Sequence, residues 1–282
     1  MPTLDRRSFL TGSAAAAMSL AGGSAAAATT AAPTTKQDAA PSRSGARVSN
    51  PIAVSTYSFW RYTEGDPPTM LDCMGHASDM GFDGVELLEV QMHRKDKPYL
   101  RAIRRSALVN GLNLVGMSTH QGFVTPDRAK RRENYAKTLA SLELAYELGI
   151  PTIRVNTGRW GTSGSFDELM ENKGIEPTLD GYTDDQGFSW VIDNYGRLAE
   201  EAGKRGVVMG LENHWGLGRS AAGVMRVLQA VNSPWLQATL DTGNFLEDQY
   251  AQYRHLAAAA VFVQAKTFYG GGVWYEIDID YA

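Results

Sequence analysis

Three short strings in the second half of the chain carry side chains that could do chemistry together: Leu211-Glu212-Asn213-His214, Leu240-Asp241-Thr242-Gly243-Asn244 and Val263-Gln264-Ala265-Lys266. They lie about one strand-plus-helix unit apart, and each closes a β-branched or apolar run. In a barrel of parallel strands, that end of the strand is where reactive groups are displayed. Glu212 and Asp241 would bring carboxylates, and Gln264 an amide oxygen, to a common pocket. A hard divalent cation such as Mn²⁺ or Mg²⁺ takes oxygen ligands, so Glu212, Asp241 and Gln264 are the expected metal ligands. Open positions on that metal would suit a hydroxyl next to a carbonyl, and an enediolate could then form as Glu212 acts as base. Taken singly, either carboxylate reads as a helix cap or an arginine partner. Their equivalent placement on successive units favours a site.

Other polar residues fall at the same expected rim. His120 ends a third strand, and His214 and Trp215 follow Glu212 directly. Lys266 shares a strand face with Gln264, because alternate residues point the same way. It could neutralise an oxyanion or a substrate carboxylate, or form a salt bridge. Asn156 and Arg159 close a fourth strand, and Asn244 follows Asp241. The expected substrate contacts are His120, His214, Asn244, Lys266, Asn156 and Trp215. Trp60 and Trp160 also follow strands, where an indole stacks on a sugar face or simply packs over the barrel top. Glu86 reads as a second-strand residue tied to the barrel interior or rim, without assigned chemistry. The glycines at 270–272 lack a following helix that would make them a phosphate cradle.

The elements that would position these groups alternate. Strand-like runs at 52–59, 84–90, 113–119, 152–157, 207–211, 236–240 and 260–265 are separated by helical spacing at 67–80, 98–110, 127–148, 188–204, 221–231 and 250–259. A longer Gly-, Asp- and Thr-rich excursion spans 158–187. Such alternation predicts right-handed βα units and a parallel sheet. A doubly wound open sheet should carry a glycine-rich turn after its first strand, and Tyr57-Ser58-Phe59-Trp60 is not one.

The amino terminus reads as a targeting segment. Arg6-Arg7 followed by Phe9-Leu10, a mild apolar stretch and Ala-rich cleavage options predict a twin-arginine signal over 1–28. A disordered Ala-, Thr-, Ser- and Pro-rich linker follows over 29–50, and the barrel domain occupies 51–282. The chain is therefore expected in the periplasm or outside the cell, and not as an integral membrane protein. The 282 residues, 43% of them apolar, suffice for one large core, and a formal net charge of −4 offers no bulk attraction to nucleic acid. The single cysteine, Cys73, excludes an intramolecular disulfide and reads as a buried apolar residue.

Met80-Gly81-Phe82-Asp83-Gly84-Val85-Glu86-Leu87, together with the three strings above, resembles the xylose isomerase-like TIM barrels of the sugar phosphate isomerase and epimerase group. The resemblance runs from about residue 52 to the end. It implies a metal held by Glu, Asp, His and a second Glu from strands five to eight, with two glutamates flanking the reacting carbon, one removing and one returning its proton. Glu212 and Asp241 match that pattern in type. Gln264 stands where the family has His, Asn244 stands where a His follows the Asp, and the second Glu would come after Ala282. The expected fold is thus a (β/α)₈ barrel, C-terminally truncated to about seven strands. The expected function is a metal-dependent isomerase or epimerase of a small sugar or polyol, with room for a homo-oligomer. The alternative is an inactive carbohydrate-binding relative or fragment. An apurinic-site endonuclease shares the barrel, but five histidines and an acidic balance do not suit its metal cluster or its DNA.

Overall fold

The computed structural model describes residues 50–59, 68–266 and 279–280. The predicted signal and nearly all of the linker, Trp60 and the glycines at 270–272 lie outside the described residues. Seven parallel strands pair in chain order as one sheet: β1 (Ala53–Ser55), β2 (Gly84–Leu88), β3 (Asn113–Ser118), β4 (Thr152–Val155), β5 (Val208–Glu212), β6 (Leu236–Asp241) and β7 (Ala260–Gln264). The helices between them are α1 (Met70–Asp79), α2 (Lys97–Val109), α3 (Arg128–Leu148), α4 (Phe166–Glu171), α5 (Asp184–Arg205), α6 (Ala221–Val231) and α7 (Gln249–Leu256). The expected βα alternation is the observed one, and the sheet curls into a partial barrel clad in helices.

Local chemistry sets the element ends. Thr69 with Asp72, and Thr183 with Gln186, form capping boxes at α1 and α5. The second box starts α5 at Asp184, several residues before the predicted start at 188. α3 and α5 stop at Gly149 and Gly206, both left-handed with φ of 71° and 65°, and the chain turns there into β4 and β5. The predicted first strand is shorter than expected, because Thr56–Phe59 winds into a 3₁₀ turn. The hydroxyl oxygen of Thr56 accepts the Leu88 N–H at 2.9 Å and joins that turn to β2.

Apolar residues facing outward from the strands, such as Val85, Leu87, Ile153 and Met209, are fully buried against the helices. The inward face differs: it carries Glu86, Ser118, Arg154, Glu212 and Gln264, which meet one another by hydrogen bonds across the barrel. Below them the interior is filled tightly. A Cβ on Gly116 of β3 would touch the Phe262 ring of β7 at 3.5 Å and the Glu86 side chain at 3.6 Å. Cys73 is buried in α1, as its helical setting predicts. Among the described residues, no helix is long and apolar enough to cross a membrane.

Candidate functional site

Glu212 is the last residue of β5 and Asp241 the last of β6, so both carboxylates reach the same barrel mouth. Asn213 holds the two strand ends in register. Its side chain donates to the Asp241 carbonyl at 2.8 Å and accepts the Asp241 N–H at 2.7 Å, closing a two-bond clip in a buried setting. An amide supplies one donor and one acceptor for that purpose; a carboxylate could not.

From Glu212 a continuous chain of hydrogen bonds crosses the mouth. Arg154 of β4 donates from Nη1 to Glu212 Oε2 at 2.8 Å, and from Nε to the Ser118 hydroxyl at 3.1 Å. Ser118 donates to Glu86 Oε1 at 2.6 Å, and the Gln264 amide donates to the same oxygen at 2.8 Å. On the other side, Asn244 Nδ2 donates to Glu212 Oε1 at 3.2 Å, while its Oδ1 accepts from Lys266 Nζ at 2.8 Å. Lys266 Nζ also lies 3.5 Å from Asp241 Oδ2 and 5.7 Å from the centre of the Trp215 ring. Asp241 Oδ1 accepts the Gly243 N–H at 2.8 Å.

Burial and charge set the protonation preferences. Desolvation raises Glu86, with the Ser118 hydrogen bond opposing it. Desolvation also lifts Asp241 to about 6; Lys266 opposes this, and the Glu212 charge adds to it. Arg154 keeps its charge against desolvation because Glu212, Glu86 and Asp241 surround it. Desolvation, then the positive charges of Arg154 and Lys266, hold His214 well below its ordinary value and therefore neutral. His120 reaches solvent on one side, yet the rim desolvates its ring and, with the charge of Arg154, lowers it to about 4.

The structure thus brings Glu212, Asp241, Asn244, Lys266, Gln264, His214 and Trp215 to one mouth. The rings of His214 and Trp215 lie 4.4 Å apart, and Trp215 packs edge-on against Phe166 of α4 at 5.1 Å. Helix α4 belongs to the excursion after β4 and was not anticipated. The Glu176 carboxylate fixes that excursion by accepting the backbone N–H groups of Gly161 and Ser163 and the Arg159 guanidinium. Trp215 Nε1 is buried with no partner among the described residues, a donor that a substrate oxygen could accept from.

Two predicted contacts stand apart. Asn156 turns its amide oxygen onto its own loop, accepting the Gly158 N–H at 3.1 Å. His120 faces a separate rim cavity of about 250 Å³ lined also by Glu89, Lys95, Gln121, Asn134 and Lys137. Trp160 packs over the barrel top and donates its Nε1 to Asp184 at 2.8 Å.

The predicted ligands do not make a metal cage. Among the described residues, no three His, Cys, Asp or Glu side chains gather so as to hold a metal ion. Gln264 turns its NH₂ group to Glu86, and each of the two carboxylates already faces a resident cation. As placed, with an amide nitrogen turned inward and both carboxylates ion-paired, the described residues do not fit the group. Arg154 and Asn213 are the functional positions that sequence reasoning missed. An arginine between two apolar residues, one residue before the end of β4 and on the same alternating face as Glu212, was the available signal for the first.

Residues 74–272 match the family described as xylose isomerase-like TIM barrel, and the chain belongs to that family. No curated protein matches the sequence significantly. Among solved structures, the chain is similar to a 3-keto-D-glucoside 4-epimerase from E. coli, with 19% identity and a TM-score of 0.59 over 74% of this chain and 80% of that one. It is also similar to a D-psicose 3-epimerase crystallised in the presence of D-fructose, with 18% identity and a TM-score of 0.61 over 76% of this chain and 72% of that one. A D-psicose 3-epimerase from Clostridium cellulolyticum H10, with D-tagatose, gives 18% identity and a TM-score of 0.57 over 76% and 72%. At these identities the likeness establishes the fold.

Proposed function

We propose that this chain is a sugar isomerase or epimerase that moves a proton at a carbon next to a carbonyl, with Glu212 as the base. The observation that carries this reading is the Glu212 carboxylate itself. It is buried at the end of β5, aimed by Arg154 on one oxygen and Asn244 on the other, beside a second carboxylate that titrates near pH 6. A base must be held within reach of one particular C–H bond, and two directed hydrogen bonds do that.

Lys266, Asn244, neutral His214 and the orphan Trp215 N–H offer donors to substrate hydroxyls, and the Trp215 ring offers a face for a sugar. His120 and Asn156 contact the substrate only as it extends along the rim. The sugar epimerases among the similar structures support the substrate class. The Arg6-Arg7 segment supports export by the twin-arginine route, where free sugars, polyols or their oxidised forms are the accessible substrates. Incubation with ketoses and ketoglycosides, followed by NMR, should show a new epimer or isomer that Glu212→Gln does not produce. Turnover by Glu212→Gln at the wild-type rate would refute the assignment.

A further inference from the structure

The end of the barrel opposite the mouth carries apolar side chains that the fold leaves in water. Leu108 and Val109, at the end of α2, are 79% and 62% exposed, and Ile52 before β1 and Met80 after α1 are each 65% exposed. Isolated exposed apolar residues are ordinary on any protein, but the segments that bear these four are tied to one another. The Ser78 hydroxyl of α1 donates to the Asn110 carbonyl after α2 at 2.9 Å. The Asp83 carboxylate accepts the Ile52 N–H at 3.0 Å, and the Asp83 carbonyl accepts the Asn113 N–H at 3.1 Å. The four side chains therefore line one continuous edge, and an apolar edge left exposed marks an interaction surface.

We propose that this edge, together with the outer face of α2, is a docking surface for an anionic lipid bilayer. Leu100, Ile103 and Ala107 turn α2 into the core, while Lys97, Arg101, Arg104, Arg105 and Leu108 recur at helical spacing on the exposed face. The helix itself holds no acidic residue. Among the described residues none of its cations has an ion-pair partner. By contrast, Arg94 and Lys95 in the preceding loop pair with Asp96 and Glu89, and Lys130 and Lys137 of α3 pair with Glu133. Cations left unmatched beside exposed Leu108 and Val109 complement a surface that is phosphate above and hydrocarbon below.

The spacing along the helix fits the depth of such a surface. Arg104 and Arg105 precede Leu108 and Val109 by one helical turn, about 6 Å along the axis. An amphipathic edge enters a bilayer by about 5–10 Å, so Leu108 and Val109 reach the acyl boundary while both guanidinium groups lie among the phosphates. A nucleic acid would engage the cations and leave Leu108 and Val109 in water. Exposed Asp79 of α1 lies toward the same end, and the chain as a whole has a net charge of −4. Charges more than about 10 Å from the lipid are screened at about 0.1 M salt, so the helix that faces the bilayer sets the sign of the attraction. Glu212 and Asp241 close their strands at the other end, and docking leaves the mouth open to water. The export proposed above would bring the chain alongside such a membrane.

The test is co-sedimentation of the full chain with vesicles of phosphatidylcholine, alone or with about 30% phosphatidylglycerol. Wild type should bind the anionic vesicles more tightly than the neutral ones, and about 0.5 M salt should weaken that binding by about tenfold or more. The Arg6-Arg7 segment is common to every variant, so its own affinity for lipid does not affect the comparison between them. Replacing three arginines together, Arg101→Ser, Arg104→Ser and Arg105→Ser, should lower the partition coefficient by about 10²-fold, at about fivefold per cation. Leu108→Gln should lower it by about tenfold. All of these side chains are exposed, so circular dichroism should show the fold unchanged. In a second arm, Leu108→Cys labelled with an environment-sensitive dye should brighten on anionic vesicles, while buried Cys73 stays unlabelled. No binding to anionic vesicles, equal binding by wild type and the triple variant, or a dye at position 108 that stays in water would each overturn the proposal. So would self-association that Leu108→Gln abolishes in the absence of vesicle binding, which assigns the edge to a second copy of this chain.

Discussion

The two sides of the barrel mouth are built from similar residue types and do different work. Strands β5 to β7 contribute Glu212, Asp241, Asn244 and Lys266, which face the space where a substrate would sit. Strands β2 to β4 contribute Glu86, Ser118 and Arg154, which face one another and reach strands β5 to β7 through the Arg154–Glu212 contact and the Gln264 amide. A carboxylate on the first side is a candidate reactant, whereas one on the second is part of a support. Residue type alone does not separate Glu86 from Glu212; their partners do.

Substitutions can break this contrast in order of expected effect. Glu212→Gln keeps the shape but removes the base and one of the two acceptor oxygens, so turnover should fall by about 10²- to 10⁴-fold, with a stability cost of about 1–3 kcal/mol from the donor left unpaired. Steady-state kinetics beside a thermal melt check both halves of that statement. On the supporting side, Arg154→Met leaves two buried carboxylates without their cation and should cost about 3–5 kcal/mol in denaturant unfolding. Much of that loss should be recovered in acid, where the carboxyls take up protons. An Arg154→Met protein as stable as wild type would show that the support is not electrostatic.

Smaller effects sharpen the picture. Asn213→Ala opens the clip between β5 and β6 and leaves buried backbone groups unpaired, which should cost about 1–3 kcal/mol by the same assay. Asp241→Asn should do the reverse. The folded pKa of Asp241, about 6, lies above the ordinary 3.8, so the folded state holds this proton more tightly than the unfolded chain. The stability it contributes is fully present below about pH 4 and is lost as pH rises through about 6. Removing the charge should therefore stabilise the protein at neutral pH by about 1–2 kcal/mol and flatten the stability profile between those values. Glu86 shifts in the same direction, so a Glu86→Gln variant should also gain stability at neutral pH.

Much of the reacting side was legible in the sequence, because its residues sit at strand ends, just after apolar runs that announce the strands. The support was not. Arg154 lies inside a four-residue strand, where a single charged residue looks like a solvated edge until the barrel closes around it. Asn213 sits between two conspicuous neighbours, and its role depends on how β6 is placed beside β5, which no local pattern encodes. Gln264 was expected as a weak ligand because its strand and face were right. The direction of its amide is set by Glu86, far away in the chain. Helix α4 escaped notice because it is only six residues long and lies in a Gly- and Asp-rich stretch. The late predicted start of α5 reflects a capping box hidden in the same stretch.

The most direct test of the account is deuterium incorporation from D₂O into a panel of ketoses and ketoglycosides, followed by mass spectrometry, for wild type and Glu212→Gln side by side. The account predicts one deuterium at the carbon next to the carbonyl with wild type and a loss of about 10²-fold or more with Glu212→Gln. Equal incorporation by the two proteins would contradict it.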